Sequence, residues 1–210
     1  ADPTQTAVQA DLERLATALD DFTGITRAYR AAGTSLEGEA ADAYLGRMER
    51  FRRHVVHVRP GVFVMFDDLR APEPARFQWL LHAYNKIGIA EAGRKLRVEN
   101  PPAAMDVHLL LPGEVELSQT DLYDPEPEPT KGRWSNTWHL TAETTEPGPA
   151  ARFLTVFLPH RQGAEDKLPK VELIEETGAV GVQLTGADGA RDVVAFRTDP
   201  QAKRVTCGGL

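Results

Sequence analysis

From His54 onward the sequence alternates short apolar-rich runs with turn-forming residues, and this alternation restricts the fold more than any other feature. The runs are HVVHVR (54–59), VFVMF (62–66), RFQWLLH (76–82), KLRVEN (95–100), MDVHLLL (105–111), EVELSQ (114–119), NTWHLT (136–141), RFLTVFL (152–158), KVELIEE (170–176), VGVQLT (180–185), DVVAFR (192–197) and KRVTC (203–207). Each is rich in β-branched or aromatic residues and bounded by Gly, Pro, Asn or Asp, which is the signature of a strand. A dozen strands without intervening helices predict an all-β chain, an antiparallel β-sandwich of about a dozen short strands with a short N-terminal helix. Pro60-Gly61 between the first two runs predicts a hairpin, and GADG (186–189) a tight turn. No fixed period repeats, which argues against a propeller or solenoid.

The first residues follow a different rule. In TQTAVQADLERLATALDDF, Val8, Leu12, Leu15, Leu19 and Phe22 recur at spacings of four, three, four and three, a single helical stripe. The spacing predicts a helix over about 5–21, stopped near Gly24. The expected organisation is a helical or irregular segment over 1–33 and a sandwich domain over 34–210. DPEPEPT (124–130), with prolines at alternate positions, predicts an exposed, polyproline-like loop, either a solvated connection or a lid.

Composition removes several function classes. A net charge of −7 argues against a duplex nucleic-acid partner. No apolar run reaches the ~18 residues needed to span a bilayer, so no membrane partner is expected. Cys207 is the only cysteine, which excludes an internal disulfide and a multi-cysteine zinc knuckle.

Few residues suggest chemistry. In RFQWLLH, Phe77, Trp79 and Leu81 share one face, while Arg76, Gln78, Leu80 and His82 share the other. His82 is followed by Tyr84 and Asn85, a set able to supply a base, an acid and a carboxylate neutraliser, though the same residues also make an ordinary strand end. In RWSNTWHLT, Trp138 reads as core, whereas Trp134 near the start of the run could stack on a sugar, and His139 joins the candidates. Asp67 and Asp68 are adjacent and so point to opposite faces; they read as turn-capping residues at a strand end, ahead of a Pro-Glu-Pro turn. His54 and His57 differ by an odd offset and cannot chelate one ion without a bulge. Arg47, Arg50, Arg52 and Arg53 can attract carboxylates or sulfates, or simply charge a strand edge. Ser35, Ser118 and Ser135 sit in no nucleophile-elbow context.

Several of these pieces together resemble one family. AADAYLGRMERFRRHVVHVRPGVFVMFDDLRAPEPARFQWLLHA (40–83), preceded by Gly38-Glu39, resembles the β-sandwich of heparinase II/III-type polysaccharide lyases, with Glu39 where the family's stretch usually has Asp. QTDLYDPEP (119–127), TWHLTAET (137–144) and RFLTVFLPHRQG (152–163) extend the resemblance, which runs over about 38–163. It implies the later part of that sandwich, and β-elimination of uronic-acid-containing polysaccharides as the activity of the larger enzyme. The family's helical toroid and first sandwich strands, which bring its catalytic groups and its structural zinc ligands, are matched by no residues here. No catalytic residue and no metal ligand is therefore carried over, and no cofactor is expected in this chain. His82, Tyr84, Asn85, Trp134 and His139 remain as candidate substrate contacts. The implied partners are an acidic polysaccharide and the α/α toroid domain of a larger lyase, and the implied location is periplasmic or extracellular. The chain's part would be structural and cleft-forming rather than catalytic by itself. The alternatives are a stand-alone acidic-carbohydrate-binding module and a compact lyase built on His82, Tyr84 and His139.

Overall fold

A computed structural model of the chain describes residues 33–90, 94–123 and 137–199. The strands are β1 (Gly33–Glu39), β2 (Arg50–Val58), β3 (Val62–Ala75), β4 (Gln78–Ala83), β5 (Gly88–Ala90), β6 (Lys95–Asn100), β7 (Ala103–Leu111), β8 (Val115–Thr120), β9 (Trp138–Thr144), β10 (Gly148–Arg161), β11 (Lys170–Glu176), β12 (Ala179–Thr185) and β13 (Arg191–Arg197). The expected runs from HVVHVR to DVVAFR all lie on these strands; β1 and β5 were not anticipated, because Thr-Ser-Leu-Glu-Gly-Glu and Gly-Ile-Ala lack a β-branched alternation. The predicted helix over 5–21, the loop 124–130, Trp134 and the run KRVTC lie outside the described residues.

The strands form a seven-stranded sheet in the order β1-β2-β3-β10-β7-β6-β5 and two three-stranded sheets, β11-β12-β13 and β4-β9-β8. Alternation along the strands shows how the sheets stack. Even residues of β3 and β10 (Val62, Val64, Phe66; Leu154, Val156, Leu158) pack with Val180, Val182, Leu184, Val194 and Phe196 of β12 and β13. Odd residues (Met65, Leu69, Ala71; Phe153, Phe157) pack with Trp79, Leu81, Leu140 and Ala142 of β4 and β9. The large sheet is thus the middle of three layers, covered on opposite faces by the two small sheets. It is a sandwich, as the strand pattern predicts, with one layer more than the usual pair.

The two covers are staggered along β3. Val64 and Phe66 are buried on one face, then Asp67, Leu69 and Ala71 on the other. This corrects the reading of Asp67 and Asp68 as turn caps: they lie mid-strand, where cover passes from one face to the other. Pro72-Glu73-Pro74 is likewise no turn but the end of β3. Its register with β10 shifts between Gly148 and Ala150, so the prolines fall where the ladder is interrupted and their missing N–H groups cost little. GADG does form the tight connection between β12 and β13: Gly186 N–H donates to the Ala190 carbonyl, and Gly189 has φ +80.

Candidate functional site

The β4-β9-β8 sheet sets the candidate residues. In β4 the pattern alternates strictly, with Trp79, Leu81 and Ala83 buried and Gln78, Leu80 and His82 exposed. Register carries the outer face across the sheet in three rows: His82–His139–Thr120, Leu80–Thr141–Ser118 and Gln78–Glu143–Glu116. His82 and His139 are therefore side by side, their ring centroids 5.8 Å apart and stacked. Tyr123, just past β8, tilts onto His139 at 4.9 Å, and its hydroxyl shares a hydrogen bond with the Thr137 hydroxyl. His139 Nδ1 is buried and has no hydrogen-bond partner among the described residues. The third row is an ion-pair cluster: Arg76 Nη1 is 3.1 Å from Glu116 and 3.4 Å from Glu143, and Gln78 Nε2 donates to Glu143 at 2.7 Å. Its hydrogen bonds to Gln78 and then Arg76 hold the Glu143 carboxyl below the usual carboxylate range.

The other candidates separate from this pair. Asn85 Nδ2 donates to the Glu99 carbonyl at 2.9 Å, fastening the β4–β5 connection to the end of β6. Tyr84 projects from the bend after β4 and is 70% exposed. Trp138 sits on the inner face opposite Ala83, with the Lys86 ammonium 5.3 Å over its ring. Sequence reasoning missed Tyr123 and Thr120. Both lie in or beside EVELSQTDLY, whose pairing with β9 spans a long intervening segment and carries no local signal.

Three arginines of the run, Arg50, Arg52 and Arg53, are spent on internal pairing. Arg53 binds Asp67 with two hydrogen bonds, at 2.6 and 2.8 Å. On the opposite face Arg50 lies 2.6 Å from Asp68 and Arg52 lies 3.2 Å from Glu37. Arg152 adds a second guanidinium 3.5 Å from Asp68. His54 and His57 point to opposite faces, as their spacing requires. His54 is buried against Phe66 and Phe196, with Nδ1 3.3 Å from Glu37 but out of hydrogen-bond alignment. Burial pushes its pKa down, against the pull of Glu37. His57 stacks on Phe63 at 4.5 Å.

A second polar cluster joins Arg97 to Asp106 (2.9 Å), Glu99 (3.0 Å) and Glu165 (2.5 Å), with His160 Nε2 3.4 Å from the Arg97 guanidinium. The Arg97 hydrogen bond takes Glu165 down to about 2. This cluster ties the short turn Glu165–Lys167 to the middle sheet. Separately, a cavity of about 330 Å³ lies between the β2–β3 connection and the β12–β13 connection, walled by Val58, Val62, Leu158, Leu168 and Leu184. Arg59, Lys167, Asp188 and Asp192 also line it, while no histidine, tyrosine, serine or cysteine does.

Among the described residues no group of three or more His, Cys, Asp or Glu side chains converges to hold a metal ion. No helix of the described residues is long and apolar enough to cross a membrane.

No family model matches the sequence, and no curated protein matches it. Solved structures do match. A heparinase III superposes with a TM-score of 0.56 at 14% identity, covering 82% of this chain and 27% of its own. The heparan sulfate lyase HepC from Pedobacter heparinus superposes with a TM-score of 0.55 at 12% identity, covering 84% of this chain and 28% of its own. This chain therefore has the fold of about a quarter of a heparinase III, the β-sandwich that the strand series resembles.

Proposed function

We propose that this chain is the β-sandwich portion of a lyase-type protein acting on uronic-acid-containing polysaccharides, and that it shapes one wall of the cleft without being catalytic by itself. The observation that carries this reading is the asymmetry of the match: more than 80% of this chain superposes on heparinase III, yet less than 30% of heparinase III is accounted for. β-Elimination needs a base at the proton beside the carboxylate, an acid at the leaving oxygen and a group that neutralises the carboxylate. His82, His139 and Tyr123 offer suitable groups, but on the outer face of a three-stranded sheet. From there they donate hydrogen bonds to the carboxylates or sulfates of a passing chain. The proposed partners are an acidic polysaccharide and an α/α toroid domain; the proposed location is periplasmic or extracellular, where such polymers are met.

The alternative, a stand-alone module for acidic glycans, loses its strongest support: Arg50, Arg52 and Arg53 each face a carboxylate of the chain's own. The test is an ultraviolet β-elimination assay on heparin, heparan sulfate, alginate and hyaluronan with folded protein. No unsaturated product is expected from this chain alone. Turnover that disappears in His82→Ala would replace the structural reading with a complete site.

A further inference from the structure

The core between the large sheet and the β11-β12-β13 sheet ends in a cavity. Val58, Val62, Leu158, Leu168 and Leu184 belong to that core and also wall the cavity of about 330 Å³. Its exposed rim carries charge of both signs, sorted by element. Arg59 on the β2–β3 connection and Lys167 on the turn Glu165–Lys167 are cations, whereas Asp188 lies on the β12–β13 connection and Asp192 at the start of β13. Elsewhere in the molecule Arg53, Arg76, Arg97 and Arg152 each close on a carboxylate. Across this rim no ion pair forms: among the described residues Arg59, Lys167 and Asp192 have no charged partner, and Asp188 accepts from the Ala190 N–H at 3.0 Å. Opposite charges thus stand apart on facing elements, with an apolar recess between them.

We propose that this cavity binds a small zwitterion with a branched aliphatic side chain, of the class of the free aliphatic α-amino acids. The side chain continues the core against Val58, Leu158 and Leu184, all buried, where its removal from water is favourable. The carboxylate lies toward Arg59 and Lys167 and the ammonium toward Asp192, so each sign on the rim gains the charged partner that the chain itself does not supply. An amphiphile with one charge satisfies one side and meets a like charge on the other. The volume is near the small end of ligand cavities, which run from about 300 to about 1,000 Å³. The walls are held in place without a ligand. Glu165 lies 2.5 Å from the Arg97 guanidinium, the Leu168 N–H donates to the Glu165 carbonyl at 3.2 Å, and the Gly186 N–H donates to the Ala190 carbonyl at 2.8 Å. Walls fixed in advance reduce the ordering entropy that opposes binding. The proposal is independent of the lyase reading.

The experiment follows the amide resonances of the full chain by heteronuclear NMR as L-leucine is added. Three analogues are titrated beside it: isocaproate, which lacks the ammonium, L-leucinamide, which lacks the carboxylate, and glycine, which lacks the side chain. Saturable shifts at Val62, Leu168 and Leu184 are expected with L-leucine at a Kd of about 1 mM or tighter. Each analogue should bind about tenfold more weakly. Lys167→Ala should weaken L-leucine and isocaproate but not L-leucinamide, and Asp192→Asn should weaken L-leucine and L-leucinamide but not isocaproate. Both side chains are exposed, and the analogue series on the unaltered chain decides the matter even where a variant unfolds. Absence of saturable shifts with L-leucine overturns the proposal. So does isocaproate or L-leucinamide binding as tightly as L-leucine, which would give the cavity to an amphiphile of single charge instead.

Discussion

Arg53 holds Asp67 across the β2–β3 ladder with two nearly parallel hydrogen bonds, Nε to Oδ1 at 2.6 Å and Nη2 to Oδ2 at 2.8 Å. Asp67 is 2% exposed, and the two-pronged contact is what lets a carboxylate lie at the border of the core. The hydrogen bond to Asp67 also raises the Arg53 pKa, so the guanidinium stays charged throughout. Removing one partner leaves the other without its match. Arg53→Ala is expected to cost about 2–3 kcal/mol by urea denaturation, with Asp67 left buried and unpaired. Arg53→Lys, which keeps the charge and loses the fork, should recover only part of that loss. Equal stability of Arg53→Ala and the unaltered chain would contradict this account.

Gly181 in β12 has a neighbour on the β13 side that forbids a side chain. A Cβ there would lie 2.1 Å from the Val194 carbonyl oxygen and 2.8 Å from the Ala195 Cα. Both are backbone atoms, so relief requires the strands to part. Gly181→Ala is expected to lower stability by about 2 kcal/mol or more, read as a reduced midpoint in urea with an unchanged slope.

His54 makes stability depend on pH. Burial lowers its pKa below the ordinary 6.5, so the unfolded chain takes up a proton more readily than the folded one. The neutral His54 contribution is complete above about pH 6.5 and shrinks as pH falls below it. His54→Gln, neutral at every pH, should lose less Tm than the unaltered chain between about pH 7.5 and about pH 5.5. Parallel melting curves for the two proteins would remove His54 as the cause.

Gln119 mimics a peptide group. Its Oε1 accepts from Ile87 N–H at 3.0 Å and its Nε2 donates to the Ile87 carbonyl at 2.9 Å, fixing the buried Ile87 beside the β4-β9-β8 sheet. Gln119→Leu leaves both backbone groups unmatched and should cost about 1–3 kcal/mol. Faster amide exchange at Ile87 would localise the loss.

His82 is exposed on the outer row, so its removal should leave the fold intact. His82→Ala is expected to change stability by no more than about 0.5 kcal/mol. Any weakening of heparan sulfate binding, measured by calorimetry at matched salt, can then be assigned to a lost contact. Unchanged binding in both His82→Ala and His139→Ala would take the outer face out of the proposed cleft.

Much of this architecture is legible in the residues. The alternation in Gln78–Ala83 assigns Trp79 and Leu81 inward and His82 outward, because a strand can present only two faces. The odd spacing of His54 and His57 separates them for the same reason. The strand runs were visible because turn residues bound them, and the series resembles the sandwich whose fold the chain shares. Two short strands escaped because Gly33–Glu39 and Gly88–Ala90 carry little alternation. The mid-strand place of Asp67 and Asp68 escaped because two aspartates before a proline pair look locally like a turn.

What the sequence alone determined, then, is strand identity and the inward or outward sense of each residue, since both follow from a period of two. Beyond the two hairpins that Pro60-Gly61 and GADG announce, tertiary structure decided which strands meet. It put β10 rather than β4 beside β3, placed a small sheet on each face of the large one, and moved the cover from Phe66's face to Asp67's within one strand. It also brought Tyr123 and His82 to either side of His139. Those juxtapositions depend on pairings between residues far apart in the chain, whose free energy is won only when whole apolar faces close on one another.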